Sequence, residues 1–172
     1  RVMVDDAHGF GTIGQGGRGT ASYYNLESEV DIIMGTFSKS LASIGGYVVA
    51  NEDVIEYIKH NSRPYIFSAA IPPANTASAL KALEILKKEP QLVDNLKNNA
   101  NYMRSELQKA GLEIIDALTP IIPIYTYKVK RTFGICNELF NRGVYVNPVI
   151  PPATNVGECL IRVSLMANHT KE

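Results

Sequence analysis

Lys39 is the side chain of this sequence best placed for covalent chemistry. It lies in Gly35-Thr36-Phe37-Ser38-Lys39-Ser40, a turn of small and hydroxyl residues that follows the apolar run Val30-Asp31-Ile32-Ile33-Met34. An amine at the end of a buried strand, among hydroxyl donors that suit a phosphate group, is where an enzyme would hold pyridoxal phosphate as a Schiff base. The turn therefore predicts a lysine that binds this cofactor.

A second cluster upstream supplies the groups that such a cofactor needs. Val2-Met3-Val4 has the pattern of a strand and leads into Asp5-Asp6-Ala7-His8, which is followed by a glycine-rich stretch. A pyridinium nitrogen needs a carboxylate to stay protonated, and the phenolic oxygen of the ring needs a donor. Asp5 and His8, three residues apart on one turn, could supply both. Asp6 is interpreted as structural or as a support for residues that contact the cofactor, and both aspartates could instead be turn formers.

Three groups of residues are considered for anion binding. Thr36 and Ser38 offer hydroxyls and backbone amides in a short loop, an arrangement that binds phosphate without net charge. Gly14-Gln15-Gly16-Gly17-Arg18-Gly19 lacks the spacing of a dinucleotide-binding loop and does not open a predicted helix, so we expect a flexible loop near the mouth of the site. Arg162 follows Leu160-Ile161 in an apolar strand, where a guanidinium needs a carboxylate, either of the protein or of a substrate.

Hydrophobic periodicity predicts alternating strands and helices. Short β-branched runs predict buried, parallel-type strands, and apolar residues at helical spacing predict helices that Pro90 and Gly111 delimit. The predicted strands cover residues 2–5, 30–36, 46–50, 112–116, 121–127, 144–147 and 159–165, and the predicted helices cover 52–60, 72–89, 92–110 and 131–142. This alternation predicts an α/β fold with a mostly parallel sheet in residues 1–89 and a smaller α+β domain in residues 90–172.

Composition excludes several classes of function. Seventeen basic and seventeen acidic residues cancel, so no overall field favours nucleic acid or an anionic membrane, and Lys128-Val129-Lys130-Arg131 is interpreted as a solvated loop. No apolar run approaches the ~18 residues of a membrane span. Cys136 and Cys159 lack CxxC spacing, which favours free thiols in a reducing cytoplasm. We predict no metal site, and we interpret His60 and His169 as structural or exposed.

The two ends predict that the chain is part of a longer protein. Arg1 comes directly before the first strand, and Thr170, near the other end, resembles the N-cap of a further helix. We expect a fragment from the later part of an enzyme.

Six short motifs, in order along the chain, carry a resemblance to a known family. They are Asp5-Asp6-Ala7-His8-Gly9, Gly14-Gln15-Gly16-Gly17-Arg18-Gly19, Gly35-Thr36-Phe37-Ser38-Lys39-Ser40, Arg63-Pro64-Tyr65-Ile66-Phe67-Ser68, Pro151-Pro152-Ala153-Thr154 and Ile161-Arg162-Val163-Ser164. In this order they resemble the α-oxoamine synthases, fold-type I pyridoxal phosphate enzymes that join an amino acid to an acyl-CoA, most with loss of carbon dioxide. The third and fifth motifs most resemble the serine palmitoyltransferase branch.

The resemblance implies roles for single residues of the cofactor site. Lys39 would carry the cofactor and remove the α-proton of the substrate, Asp5 would contact the ring nitrogen, and His8 would complete the catalytic set. Thr36 and Ser38 would bind the phosphate.

The resemblance also implies contacts with the substrate and with a second subunit. Ser68 and the backbone of Ala69 would reach the cofactor phosphate of the partner in a homodimer with shared active sites, although Ala70 stands where relatives often carry a hydroxyl. Arg162 would bind the amino-acid carboxylate, and Thr154 lies in a loop that touches substrate in relatives.

The implied activity is decarboxylating condensation of an amino acid with an acyl-CoA, serine with a long-chain acyl-CoA in the branch named above. Glycine C-acetyltransferase and 8-amino-7-oxononanoate synthase are alternatives. Transamination would keep Lys39 and Asp5 without the combination of Arg162 and residues 151–154. A non-catalytic subunit or dimerisation module is an alternative of another class, and we expect the fragment alone to be inactive.

Overall fold

The computed structural model describes residues 1–171, which fall into two compact units. The first unit is Arg1–Val93 and the second begins at Asp94. Each unit contains a three-stranded sheet. The predicted α/β class is confirmed, because helices alternate with these strands along the chain.

The sheet of the first unit brings three strand ends together at one edge. Its strands are β1 (Met3–Asp5), β2 (Ile32–Thr36) and β3 (Gly46–Ala50), in the order β1-β2-β3. β1 and β2 are parallel, with Asp5 opposite Met34, whereas β2 and β3 are antiparallel, with Thr36 opposite Gly46. The carboxyl ends of β1 and β2 and the start of β3 therefore lie at the same edge.

The strands of this sheet are less buried than the sequence predicts. Met3 is 62% exposed and Val49 is 56% exposed. Apolar β-branched runs indicate strands that a second layer covers, but within the first unit that cover is incomplete.

The helices of the first unit have recognisable starts and ends. They are α1 (Thr20–Tyr24), α2 (Glu52–Asn61), α3 (Arg63–Phe67) and α4 (Pro73–Lys88), and α5 (Gln91–Lys109) begins here and continues into the second unit. Two short 3-10 turns cover Gln15–Gly17 and Glu27–Glu29. α4 begins with a proline, which needs no hydrogen-bond partner there, and its last turn carries two lysines that suit the negative end of the helix dipole.

The second unit packs α5 and α6 (Val129–Asn141) on an antiparallel sheet. The strands β4 (Ile121–Tyr127), β5 (Asn147–Val149) and β6 (Cys159–Ser164) have the order β4-β6-β5. Ile124, Val146 and Ile161 form the buried core, with partly buried side chains of both helices against it. Because a strand is pleated, successive side chains of β6 lie on opposite faces of the sheet, and Ile161 and Val163 lie on the face of this core.

The boundaries differ from the sequence prediction in three places. Residues 112–116 form a single bridge between Ile114 and Ile124 rather than a strand, and the strand predicted over 144–147 begins only at Asn147. α6 begins at Val129, so the basic cluster forms its cap and first turn and is not a loop. The five-residue helices α1 and α3 were not predicted, because one turn is too short to display helical periodicity.

Within residues 1–171, no helix combines the length and apolar character needed to cross a bilayer. In the same part of the chain, acidic, histidine and cysteine side chains form no group of three that could hold a metal ion.

Candidate functional site

The turn that carries Lys39 follows β2 directly and is closed by hydrogen bonds. The Thr36 hydroxyl lies 2.8 Å from the Ser38 hydroxyl, accepts a bond from the Ser38 amide at 3.2 Å and donates to the Gly45 carbonyl at 3.0 Å. The Phe37 amide donates to the same carbonyl at 2.9 Å. The two hydroxyls and the Ser38 amide are therefore grouped within one short turn, as phosphate binding requires.

Aromatic rings support the backbone beneath this turn. The Tyr47 ring stacks on Phe37 with centroids 5.9 Å apart and meets Phe10 edge to face at 5.5 Å. A Cβ atom at Gly35 would lie 2.5 Å from the Tyr47 ring, so glycine is required where the ring crosses β2. Burial, and to a smaller degree the negative charge of Asp6, raises the pKa of the Tyr47 hydroxyl above its ordinary value.

The Lys39 side chain itself is exposed. Among residues 1–171 its ammonium group has neither a hydrogen bond nor an ion pair. Its backbone carbonyl accepts a bond from the Ala42 amide at 3.1 Å, which fixes the main chain while leaving the amine accessible. An accessible amine on a fixed turn can form a covalent bond with a carbonyl compound.

Asp5 ends β1 at the same sheet edge. It is exposed, lies opposite Met34 in the ladder, and one of its carboxylate oxygens accepts a bond from the Ala7 amide at 3.0 Å. No lysine or arginine of the described chain forms an ion pair with it. The carboxylate can therefore receive a cationic group of a ligand at the edge where the Lys39 turn also begins.

Asp6 has a different environment and is buried, with 3% of its surface exposed. Its carboxylate accepts bonds from the Thr20 hydroxyl at 2.5 Å and from the Thr20 amide at 3.1 Å. A Cβ atom at Gly9 or at Gly19 would overlap this carboxylate. The structural role predicted for Asp6 agrees with these contacts.

His8 lies in the turn that Asp6 closes. The Asp6 carbonyl accepts bonds from the Gly9 amide at 3.1 Å and the Phe10 amide at 2.9 Å, and the His8 carbonyl accepts one from the Thr12 hydroxyl at 2.7 Å. The His8 residue is exposed. Its main chain is thus fixed at the same edge as Asp5.

Ser68 and Ala69 follow α3 and are both exposed. The chain after them returns to the Lys39 turn, because Ile71 contacts Gly45 so closely that a Cβ atom there would lie 2.5 Å from the Ile71 side chain. The Ser43 hydroxyl donates to the Asn75 carbonyl at 2.6 Å, a second link between the turn and the segment that leads into α4.

Arg162 lies in the second unit, at the centre of its sheet. Its neighbours across the strands are Pro123 and Asn147. Its Nε atom is buried and has no hydrogen-bond partner, and none of the carboxylates of residues 1–171 forms an ion pair with it. The side chain lines a cavity of about 990 Å³ that Asn147 and Ser164 also line. An unpaired buried donor in a cavity wall is suited to an anionic ligand.

Thr154 lines a separate cavity of about 380 Å³, together with Tyr125 and Glu158. Its hydroxyl is also buried without a partner. Within the second unit, Thr154 and Arg162 therefore line two different cavities.

Three contacts near these residues were not predicted from the sequence. They are the Asp6–Thr20 bond, the Tyr47–Phe37 stack and the position of Asn147 beside Arg162. The glycines at both ends of the 9–19 segment were the available signal for the first contact, because glycine permits close approach. The other two depend on strand register, which short strands do not reveal.

The whole chain matches one protein-family model. Residues 1–172 match the family described as aminotransferase class I and II.

Similar proteins carry the names of two activities, serine palmitoyltransferase and 8-amino-7-oxononanoate synthase. A serine palmitoyltransferase of Sphingobacterium spiritivorum is 51% identical over 169 residues, covering 98% of this chain and 42% of that protein. An 8-amino-7-oxononanoate synthase of Petrotoga mobilis is 40% identical over 171 residues, covering 99% of this chain and 44% of that protein. A solved structure described as SPT with PLP internal aldimine superposes with a TM-score of 0.92 at 34% identity, covering 99% of this chain and 43% of that one. The chain thus spans under half the length of these relatives.

Replacement of Thr20 by valine tests how much the hydrogen bond from the Thr20 hydroxyl to Asp6 contributes to stability. Thr20→Val keeps the shape but removes the hydroxyl donor, so we expect the free energy of unfolding to fall by about 1–3 kcal/mol. Thr20→Ser keeps the hydroxyl and should restore most of this loss. Thr76→Val, which removes an exposed hydroxyl bonded to the Pro72 carbonyl, is the matched control. Denaturant unfolding measures all three, and equal stability of the two valine variants would contradict the account.

Proposed function

Because this chain belongs to the class I and II aminotransferase family, and within it to the α-oxoamine synthases, we propose that the full-length protein is a pyridoxal phosphate-dependent acyltransferase. It joins an amino acid to an acyl-CoA with loss of carbon dioxide, and serine with a long-chain acyl-CoA is the preferred pair. One observation carries the proposal. The Lys39 turn and Asp5 both lie at the carboxyl ends of neighbouring parallel strands, at one edge of the sheet of the first unit.

The residues at this edge fit the cofactor. Thr36 and Ser38 supply hydroxyls and an amide for the phosphate, and the exposed carboxylate of Asp5 suits a protonated ring nitrogen. Lys39 supplies the amine that holds the cofactor, and His8 lies on the turn beside Asp5. When bound, pyridoxal phosphate withdraws electrons from the α-carbon of the amino acid.

Lys39 has two tasks in the proposed reaction. Its amine would hold the cofactor covalently, and in the free state it would accept the proton from the α-carbon of the substrate. Asp5 would keep the ring nitrogen protonated through its negative charge. His8 would complete the catalytic set as a residue of the turn beside Asp5.

Arg162 binds the substrate carboxylate in this proposal. A guanidinium can bind a carboxylate through two parallel hydrogen bonds, and its buried Nε atom is a donor that lacks a partner in the protein. Thr154, whose hydroxyl also lacks a partner, is a second candidate contact to substrate in a neighbouring loop.

The choice among related activities depends on similarity. Identity to a serine palmitoyltransferase is 51%, compared with 40% to an 8-amino-7-oxononanoate synthase. The second activity, and that of a glycine C-acetyltransferase, remain the alternatives within the family, and a non-catalytic subunit is the alternative outside it.

We further propose a cytoplasmic homodimer with shared active sites. Ser68 and Ala69 are exposed beside the segment that meets the Lys39 turn, so they are accessible to a second subunit. Cys136 and Cys159 are both free thiols, which suits a reducing compartment. The domains would be the end of a large cofactor-binding domain, residues 1–89, and a small domain from residue 90.

The activity is tested with the full-length protein and its Lys39→Ala variant. We expect the wild type to release coenzyme A from long-chain acyl-CoA with serine faster than with glycine or alanine. Lys39→Ala should lose the visible absorbance of the lysine-bound cofactor and turnover, while its unfolding temperature without cofactor stays unchanged. Borohydride reduction followed by peptide mass spectrometry locates the bond, and a modified lysine other than Lys39 would contradict the assignment.

Arg162→Lys tests the carboxylate contact. Lysine keeps the charge but loses the planar pair of donors, so we expect the amino-acid dissociation constant to rise by about tenfold while that of pyridoxal phosphate changes little. Spectral titration measures both constants in one preparation. Loss of cofactor affinity as the main effect would show that Arg162 is structural.

A further inference from the structure

We infer that the segment Gly9–Gly19, here called the glycine brace, positions Lys39 through a close contact with the next residue, Ser40. This inference rests on the proposed function, because it concerns the lysine that binds the cofactor. The sequence predicts only a flexible loop for the second half of this segment. The structure instead has a closed segment with fixed contacts at its base, between its two halves and at Gly11.

The base of the glycine brace is closed on one buried carboxylate. Gly9 and Gly19, its first and last residues, both approach Asp6 so closely that a Cβ atom on either would overlap the carboxylate. Thr20, which follows the brace, donates its hydroxyl to Asp6 at 2.5 Å. Both ends of the brace are therefore fixed to the residue that extends β1, since the Asp6 amide also donates to the Met34 carbonyl of β2 at 2.7 Å.

Backbone hydrogen bonds join the two halves of the brace. The Gly11 amide donates to the Gly17 carbonyl at 2.7 Å, and the Gly19 amide donates to the Ile13 carbonyl at 2.9 Å. Gly17 is buried, and a Cβ atom there would lie 3.1 Å from the Cα atom of Gly11. The two halves are packed together at the backbone, so a displacement at the base is transmitted to Gly11.

Gly11 contacts the Lys39 turn. A Cβ atom on Gly11 would lie 2.5 Å from the Cβ atom and 2.7 Å from the hydroxyl oxygen of Ser40. The backbone of the brace thus lies directly against the side chain of the residue that follows Lys39. Any side chain at Gly11 would have to displace Ser40, and with it the main chain of Lys39.

The opposite side of the turn is fixed as well. The Phe37 amide and the Thr36 hydroxyl both bind the Gly45 carbonyl, and the Ser43 amide donates to the Phe37 carbonyl at 2.8 Å. The main chain around Lys39 is therefore held by Gly11 on one side and by hydrogen bonds to Gly45 and Ser43 on the other, while the Lys39 amine stays accessible.

Gly16 provides a control within the same brace. Gly11 and Gly16 both adopt left-handed backbone conformations, with φ of +78° and +59°, so alanine is strained at either position. No atom lies within 4 Å of a Cβ atom built on Gly16, in contrast to Gly11. The difference between the two alanine variants thus isolates the contact with Ser40 from backbone strain.

The experiment compares cofactor capture by full-length proteins freed of cofactor. Gly11→Ala, Gly16→Ala, Ser40→Gly and the double variant Gly11→Ala/Ser40→Gly are mixed with pyridoxal phosphate. The rate of formation of the bond to Lys39 is followed by visible absorbance and confirmed by borohydride trapping and mass spectrometry. We expect Gly11→Ala to react at least about tenfold more slowly than Gly16→Ala, since small displacements of a reacting group have effects of this size. Ser40→Gly in the Gly11→Ala protein should restore the rate to that of Ser40→Gly alone.

Unfolding temperatures of the same proteins separate positioning from stability. Equal capture rates in Gly11→Ala and Gly16→Ala, or no recovery in the double variant, would overturn the inference. If Gly11→Ala does not fold, Ser40→Val adds bulk at the same contact and should slow capture in the same way, and an unchanged rate would overturn the inference. Absence of capture at Lys39 in the wild type would instead refute the proposed function, and the inference with it.

Discussion

The buried carboxylate of Asp6 is the interaction on which the arrangement of the first unit depends. A charged group with 3% exposure is costly unless donors satisfy it, and Thr20 supplies both its hydroxyl and its amide. The backbone of Asp6 joins β2 on one side and closes the His8 turn on the other. Asp5, the residue before it, is thereby held at the sheet edge, so the buried aspartate fixes the main-chain position of its exposed neighbour.

The sequence predicts the elements that present a long periodic signal. The helix predicted over 92–110 corresponds to Gln91–Lys109, because its apolar stripe extends over five turns and ends at glycine. Strand 121–127 and the strand around Arg162 were found because each is a run of six or seven residues rich in apolar and β-branched side chains. The prediction of a strand over residues 112–116 was wrong, because a short apolar stretch after a glycine does not reveal that only one bridge forms.

The reactive groups of the site can be predicted from the sequence to a similar extent, but the contacts that hold them in position cannot. The motif around Lys39 indicates an amine among hydroxyl donors, and the structure places Thr36 and Ser38 within hydrogen-bond distance of each other. The contact of Gly11 with Ser40 joins residues that are far apart in sequence, and only the folded chain reveals it. The separation of Thr154 from the cavity of Arg162 likewise depends on the path of the loop before β6.

The central claim is that the sheet edge of the first unit holds pyridoxal phosphate through Lys39. A crystal structure of the full-length protein grown with the cofactor tests this most directly. The account predicts continuous electron density from Nζ of Lys39 to the cofactor, with the carboxylate of Asp5 at the ring nitrogen and the hydroxyls of Thr36 and Ser38 at the phosphate. Density joined to another lysine, or a cofactor bound away from this edge, would contradict it.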